Sequence, residues 1–153
     1  GNITAVTAIR IRDEGEVAPL LQVLIYPVLD ATPERPSHHE FAEGMLLTRS
    51  NILWFYDHYM NVLDDAQNPH LSPILTEDLS GLAPALIIVA GHDPLRDEGI
   101  EYAGRLKEAG VAVEFCNYEG MIHGFLSFAD AIDQGMTGIE HVARALRGAF
   151  AAN

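Results

Sequence analysis

Two short apolar runs constrain this chain more than any other feature: residues 20–26 (LLQVLIY), closed by Pro19 and Pro27, and residues 85–90 (ALIIVA), closed by Pro84 and Gly91. Runs this short and this uniformly apolar read as strands buried on both faces, as in a parallel sheet covered by helices. A third run, 111–118 (VAVEFCNY), alternates more, because Glu114 and Asn117 interrupt it. It reads as a strand nearer a sheet edge. Around these runs the spacing turns helical. Ile3, Ala5, Val6 and Ile9 open the chain at helical spacing, and Gly15 stops that pattern. Thr48 or Ser50 can cap a second helix, with Ile52, Leu53, Tyr56, Tyr59, Met60 and Leu63 on one stripe. Asp97 can cap a third that turns Ile100, Ala103 and Leu106 inward and ends at Gly110. A last one carries Ile139, Val142, Ala143, Leu146 and Phe150 on one face. Strands alternating with helices predict an α/β sheet with right-handed crossovers.

The connection from residue 27 to residue 84 is too long for a plain crossover. Residues 30–47 hold Pro33, Pro36, His38, His39 and Gly44 and read as irregular, and NPHLSP at 68–73 reads as a second loop. Connections of this length inside a compact domain are usually functional, often lids over sites. Residues 1–153 therefore read as a single α/β unit with a loop and cap-like helical excursion over about residues 30–65.

Charge narrows the partners. Nine Lys and Arg stand against 22 Asp and Glu, a formal net charge of −13. Such a field repels phosphate backbones and anionic lipid surfaces, which argues against nucleic acid as a partner. No apolar run approaches the ~20 residues of a bilayer span. Cys116 is the single cysteine, so neither an intrachain disulfide nor a cysteine-based zinc site is expected. A reducing cytoplasm is the default location. His38-His39-Glu40 lacks the i, i+4 spacing of a helical metal pair, so no metal is expected there.

In a parallel sheet, the segments that leave the C-terminal ends of the strands emerge along one rim, where ligands bind. Two such segments carry catalytic residue types: Gly91-His92-Asp93-Pro94 after the second run and Glu119-Gly120-Met121-Ile122-His123-Gly124 after the third. One strand–helix–strand unit brings Asp93 and His123 together, and a carboxylate beside an imidazole fixes the tautomer a general base needs. Asp97 and Glu98 read as acids opening a helix. The N-terminus of the first helix falls on the same rim, where its N–H groups suit a developing oxyanion. None of Ser37, Ser50, Ser72, Ser80 and Ser127 lies in a G-x-S-x-G elbow.

Several stretches together resemble the C-terminal half of an α/β-hydrolase of the hormone-sensitive-lipase-like (bacterial family IV) esterases. They are Gly1-Asn2 with its following helix, LQVLIYPVLD, EGMLLT with WFYDHYM downstream, DLSGLAPALIIVAGHDPLRDEG and YEGMIHGF. The resemblance implies an α/β-hydrolase fold with a partial cap insertion and a Ser-His-Asp acyl-enzyme mechanism without a cofactor. Asp93 is then the triad acid and His123 the triad base. His92 stands where the family more often has an apolar or acidic residue. Gly1-Asn2 matches the end of the family's G-D-S-A-G-G-N elbow, which puts the serine three positions before Gly1, on a missing N-terminal half. The substrate is then a small acyl ester, and Phe41, Met45, Leu46, Leu47, Trp54 and Phe55 are candidate pocket residues. A homodimer through the edge strand 111–118 is also implied. The alternative is a catalytically silent fragment or association lobe of such a hydrolase.

Overall fold

The computed structural model describes residues 1–32 and 34–151, with only the backbone of Leu63. Leu63, expected on the stripe of the second helix, instead opens a 3-10 turn (Leu63–Gln67) after that helix has ended at Tyr59, and its side chain lies outside the described residues. Three parallel strands, β1 (Gln22–Ile25), β2 (Ala85–His92) and β3 (Val113–Ile122), form the sheet in the order β1-β2-β3. The central strand is the one whose residues are apolar without interruption: from Ala85 to Gly91 every residue of β2 is buried. β1 and β3 each pair with β2 alone among the described strands. β1 is shorter than its run: Tyr26 still donates its N–H to the Ile88 carbonyl at 2.9 Å, but its backbone turns to φ +44° and ends the extended stretch. β3 begins two residues later than expected and continues to Ile122, four residues further.

Helices cover both faces of the sheet. α1 (Asn2–Asp13) and a later helix running Arg96–Glu108 share one core with the strands, containing Ala5, Ile9, Leu24, Ile87, Val89, Tyr102, Ala103 and Leu106. On the other face Leu86, Ile88 and Ala90 pack with Phe125, Val142 and Ala145 from the C-terminal turn and helix. The crossover from β1 to β2 holds α2 (Pro36–Glu40), α3 (Arg49–Tyr59) and two 3-10 turns, Leu63–Gln67 and Pro73–Leu75. It has a small core of its own in which Ala31, Ile52, Tyr56, Ala66 and Leu71 meet Leu95. α4 (Arg96–Glu108) joins β2 to β3, and α5 (Asp133–Ala151) closes the chain.

Several local expectations shift. The stretch read as irregular contains α2, started by Pro36, whose fixed φ suits a first helical turn. Thr48 caps α3: its Oγ1 accepts the Asn51 N–H at 3.2 Å while Asn51 Oδ1 accepts the Thr48 N–H at 3.1 Å. On α3 only Ile52 and Tyr56 are buried, and Leu53 and Tyr59 face solvent. α4 starts one residue before the expected cap, and its buried stripe is Gly99, Tyr102, Ala103 and Leu106, with Ile100 outside. The reason is steric: Gly99 lies where a Cβ would come within 2.5 Å of Val89 Cγ1, so the helix makes its closest approach to β2 at a residue with no side chain. No described helix is long and apolar enough to cross a membrane.

Candidate active site

The ladder between β2 and β3 creates the site. It runs evenly from Ala85 opposite Val113 to Ala90 opposite Tyr118, then slips and resumes at His92 opposite Ile122. Glu119, Gly120 and Met121 thus bulge against Gly91 alone. The bulge crosses the β2 backbone so closely that a Cβ on residue 91 would stand 2.1 Å from the Glu119 carbonyl oxygen. Glycine is required there. Extra residues in one strand bend it and re-aim the side chains beyond the bend. Because pairing resumes at His92 and Ile122, the next residues of two adjacent strands are Asp93 and His123. Strands lie only ~4.7–4.9 Å apart in a ladder, so side chains leaving adjacent ends can meet.

They do meet. His123 Nδ1 lies 2.8 Å from Asp93 Oδ2. The second carboxylate oxygen, Oδ1, accepts the Leu95 N–H at 2.9 Å. Asp93 is 1% exposed, so its two oxygens find partners without water. An ionised carboxylate only accepts, so the shared proton sits on Nδ1 and leaves Nε2 as the basic nitrogen. The His123 side chain keeps 26% of its surface open. Gly124, at φ +78°, turns the chain in the left-handed region straight after His123 and into the 3-10 turn Phe125–Phe128.

Tyr26, to which the sequence assigns no role, packs on the same imidazole. Its ring centroid is 4.9 Å from that of His123 and 5.5 Å from that of Phe125, and its hydroxyl oxygen accepts the Leu126 N–H at 2.9 Å. Burial pushes the Tyr26 hydroxyl up to about 12, against the pull of the Leu126 N–H, and the charge of Asp93 adds to the rise. Tyr26 has φ +44°, the only positive φ of a non-glycine residue among the described residues. A strained backbone at the end of β1, costing on the order of 1–3 kcal/mol, marks a ring held by its surroundings. Its signal in the sequence was the Tyr-Pro pair that closes the first apolar run.

The turn after Asp93 is braced from the excursion. Ser37 Oγ donates to the Pro94 carbonyl at 2.5 Å, and Asp97 Oδ2 accepts the Ser37 N–H at 2.9 Å. Partial burial pushes the Asp97 carboxyl up, but hydrogen bonds from Arg96 and Ser37 outweigh it and hold it below the usual value. Arg96 also reaches the Gly91 carbonyl at 3.2 Å and Glu40 at 3.0 Å, and stacks 5.0 Å from the Phe41 ring centroid. Glu98 is fully buried, with Oε1 accepting the Leu29 N–H at 2.7 Å and Oε2 3.3 Å from Nε2 of the buried His38. Burial pushes the Glu98 carboxyl up, against the effect of His38 and the Leu29 N–H. The reading of Asp97 and Glu98 as plain helix-opening acids thus misses tertiary ties that join α4 to the excursion.

The six candidate pocket residues separate. Phe41 lies edge-on to His92, with ring centroids 5.4 Å apart. Leu46 lies beside Gly124, its Cδ2 3.4 Å from where a Cβ would stand. Phe55 lines an apolar groove of about 400 Å³ with Asn2, Ile3, Val28 and Tyr59. Leu47 packs against the small core of the excursion, and Met45 is half-buried. Trp54 is exposed and stacks on His58 with centroids 4.1 Å apart. The start of α1 adjoins the rim. Asn2 Nδ2 donates to the Val28 and Leu71 carbonyls at 2.9 and 2.8 Å. Gly1 packs on Pro27, the neighbour of Tyr26. Among the described residues, no serine hydroxyl hydrogen-bonds the His123 ring.

A family model for the alpha/beta hydrolase fold matches residues 1–127. The chain belongs to the α/β-hydrolase family. The resemblance to hormone-sensitive-lipase-like esterases is borne out by its relatives. It is 45% identical over 152 residues to the carboxylic ester hydrolase LipN of Mycobacterium tuberculosis, covering 96% of this chain and 40% of that protein. It is 38% identical to an ethyl acetate hydrolase of Pseudomonas putida, covering 96% of this chain and 46% of that protein. Among solved structures, the ester-hydrolase EH1AB1 from the metagenome of Lake Arreo is 41% identical with a TM-score of 0.91, covering 96% of this chain and 47% of that one. The chain therefore spans a little less than half the length of these relatives.

Proposed function

We propose that this chain supplies the acid and base of a Ser-His-Asp carboxylic ester hydrolase whose serine lies on a segment preceding Gly1. The observation that carries the proposal is the 2.8 Å contact between His123 Nδ1 and the buried Asp93 carboxylate. In the proposed reaction, Nε2 of His123 takes the serine proton as the serine oxygen attacks the ester carbonyl carbon. The resulting imidazolium is stabilised by Asp93 and then protonates the departing alcohol, leaving an acyl-enzyme. Water, deprotonated by the same nitrogen, attacks the acyl carbon and releases the acid. The relatives' names, carboxylic ester hydrolase and ethyl acetate hydrolase, support esters of small acids as the substrate class. Backbone N–H groups at the start of α1 suit the oxyanion, because the positive end of a helix dipole favours developing negative charge.

The test uses the complete protein and p-nitrophenyl butyrate. His123→Ala is expected to lower kcat by ~10⁴-fold or more, the scale on which one triad member is lost. Unchanged turnover in a folded His123→Ala protein would remove the imidazole from the mechanism and favour the silent-lobe alternative.

A further inference from the structure

On the face of β3 that α5 covers, three metal-ligand residue types converge. Glu114 and Cys116 are two residues apart on the strand, so their side chains leave on one face, and α5 lays His141 across them. The ligand atoms of all three lie within 4.8 Å of one another. His141 Nε2 is 2.5 Å from Glu114 Oε1 and 3.6 Å from Cys116 Sγ. The other ring nitrogen, Nδ1, lies 3.5 Å from the Tyr118 hydroxyl.

We infer that Cys116, His141 and Glu114 form a binding site for a zinc-type divalent cation, with water completing the coordination. Zinc takes sulfur at about 2.3 Å and nitrogen or oxygen at about 2.0–2.2 Å, which puts tetrahedral ligand atoms roughly 3.3–3.7 Å apart. Sγ is 3.5 Å from Nδ1 and 3.6 Å from Nε2, a separation that suits ligands of one ion, and the imidazole must turn to aim Nε2 at it. The Glu114 oxygen must withdraw by about 1 Å from His141 to admit the ion, and its side chain is half exposed and free to do so. One thiolate, one carboxylate and a neutral imidazole balance the charge of a divalent cation. Mixed sulfur and nitrogen donors select zinc over magnesium or calcium. Tyr118 supplies an outer partner for Nδ1–H, the second contact that orients a ligating imidazole. Arg144, 3.9 Å from the Glu114 oxygen, opposes a cation and sets a limit on affinity. The expectation that a single cysteine excludes a cysteine-based zinc site is the reading this proposal replaces; it missed His141, which lies 25 residues away on another element.

The probe is cobalt(II), which reports thiolate ligation by a sulfur-to-metal charge-transfer absorption. Titrated into the reduced protein, it is expected to give that band at one equivalent and to lose it when zinc is added. Cys116→Ser is expected to abolish the band, and His141→Ala to weaken binding by about tenfold or more. Arg144→Gln is expected to tighten it several-fold. Zinc is also expected to slow alkylation of Cys116 by iodoacetamide in the unaltered protein, a reading that needs no variant. Absence of the charge-transfer band, or zinc leaving the alkylation rate unchanged, would overturn the proposal.

Discussion

The β2–β3 rim and the excursion between β1 and β2 both hold irregular backbone next to the sheet, and they hold it differently. At the rim, position is set by the ladder. The slip at Gly91 sets where pairing resumes, and Asp93 and His123 are the first residues beyond it. The excursion has no ladder to guide it. It is fixed by a few buried polar side chains: Ser72 Oγ accepts the Ala31 N–H at 2.8 Å and donates to Ala66 O at 2.7 Å, and Tyr56 donates to Asp30 O at 2.8 Å. Beyond its small core, three of its large side chains, Trp54, Phe55 and Tyr59, are more than half exposed. The difference teaches that precision and adaptability are separated along the chain. Groups that share a proton sit at the ends of tightly paired strands, while exposed apolar surface sits on a segment tethered by a few buried contacts.

That contrast can be broken in several places. Loss of the imidazole at position 123 carries the largest effect, a fall of ~10⁴-fold or more in kcat. Next is the core beneath the rim: Leu106→Ala, at a fully buried position of α4, is expected to cost about 2–5 kcal/mol in denaturant melts. A cost under about 1 kcal/mol would mean that α4 is not the rim's support. Within the excursion, Ser72→Ala is expected to cost about 1–3 kcal/mol by leaving the Ala31 N–H and Ala66 carbonyl unpaired. Trp54→Ala is expected to stay within about 0.5 kcal/mol. Equal effects at the two positions would erase the distinction between tethers and free surface.

The smallest effect concerns acid. The folded-state pKa of Asp97 is held below its ordinary value of 3.8. Its stabilisation is therefore complete above the unfolded-state value and is lost as pH falls through the lower folded value. Glu98, raised by burial, has the opposite sign: its ionisation costs stability as pH climbs from the ordinary carboxylate range toward the folded value. Asp97→Asn should melt slightly below the parent at neutral pH, by under about 1 kcal/mol for so solvated a group, and converge with it in strong acid. A deficit that stays constant as the acid is strengthened would show that the charge of Asp97 is irrelevant to the brace.

Legibility in the sequence depends on the reach of each interaction. The strand at 85–90 and the residues just beyond it were readable because the signal is contiguous. Asp93 and His123 were readable as a pair because the rule that strand ends share a rim needs no distant contact. Tyr26, Glu98 and Ser72 were not. Their partners Leu126, Leu29 and Ala31 lie 100, 69 and 41 residues away, and no local pattern encodes such pairings. On α4 the stripe placed Ala103 and Leu106 inward as found but misplaced Ile100, because Gly99 makes the contact with β2 by having no side chain, and a hydrophobic stripe counts only side chains. Excess apolar pattern misled as well, since Leu53, Tyr59 and Ile100 fit a helical stripe yet face solvent.

The central claim is that a buried carboxylate holds one ring nitrogen of His123 and frees the other. Nitrogen-15 NMR of the labelled histidine at a pH where the ring is neutral tests this most directly. The expected spectrum shows the proton on Nδ1, coupled and strongly downfield, with Nε2 unprotonated. A His123 ring carrying its proton on Nε2, or exchanging freely between the two tautomers, would contradict the account.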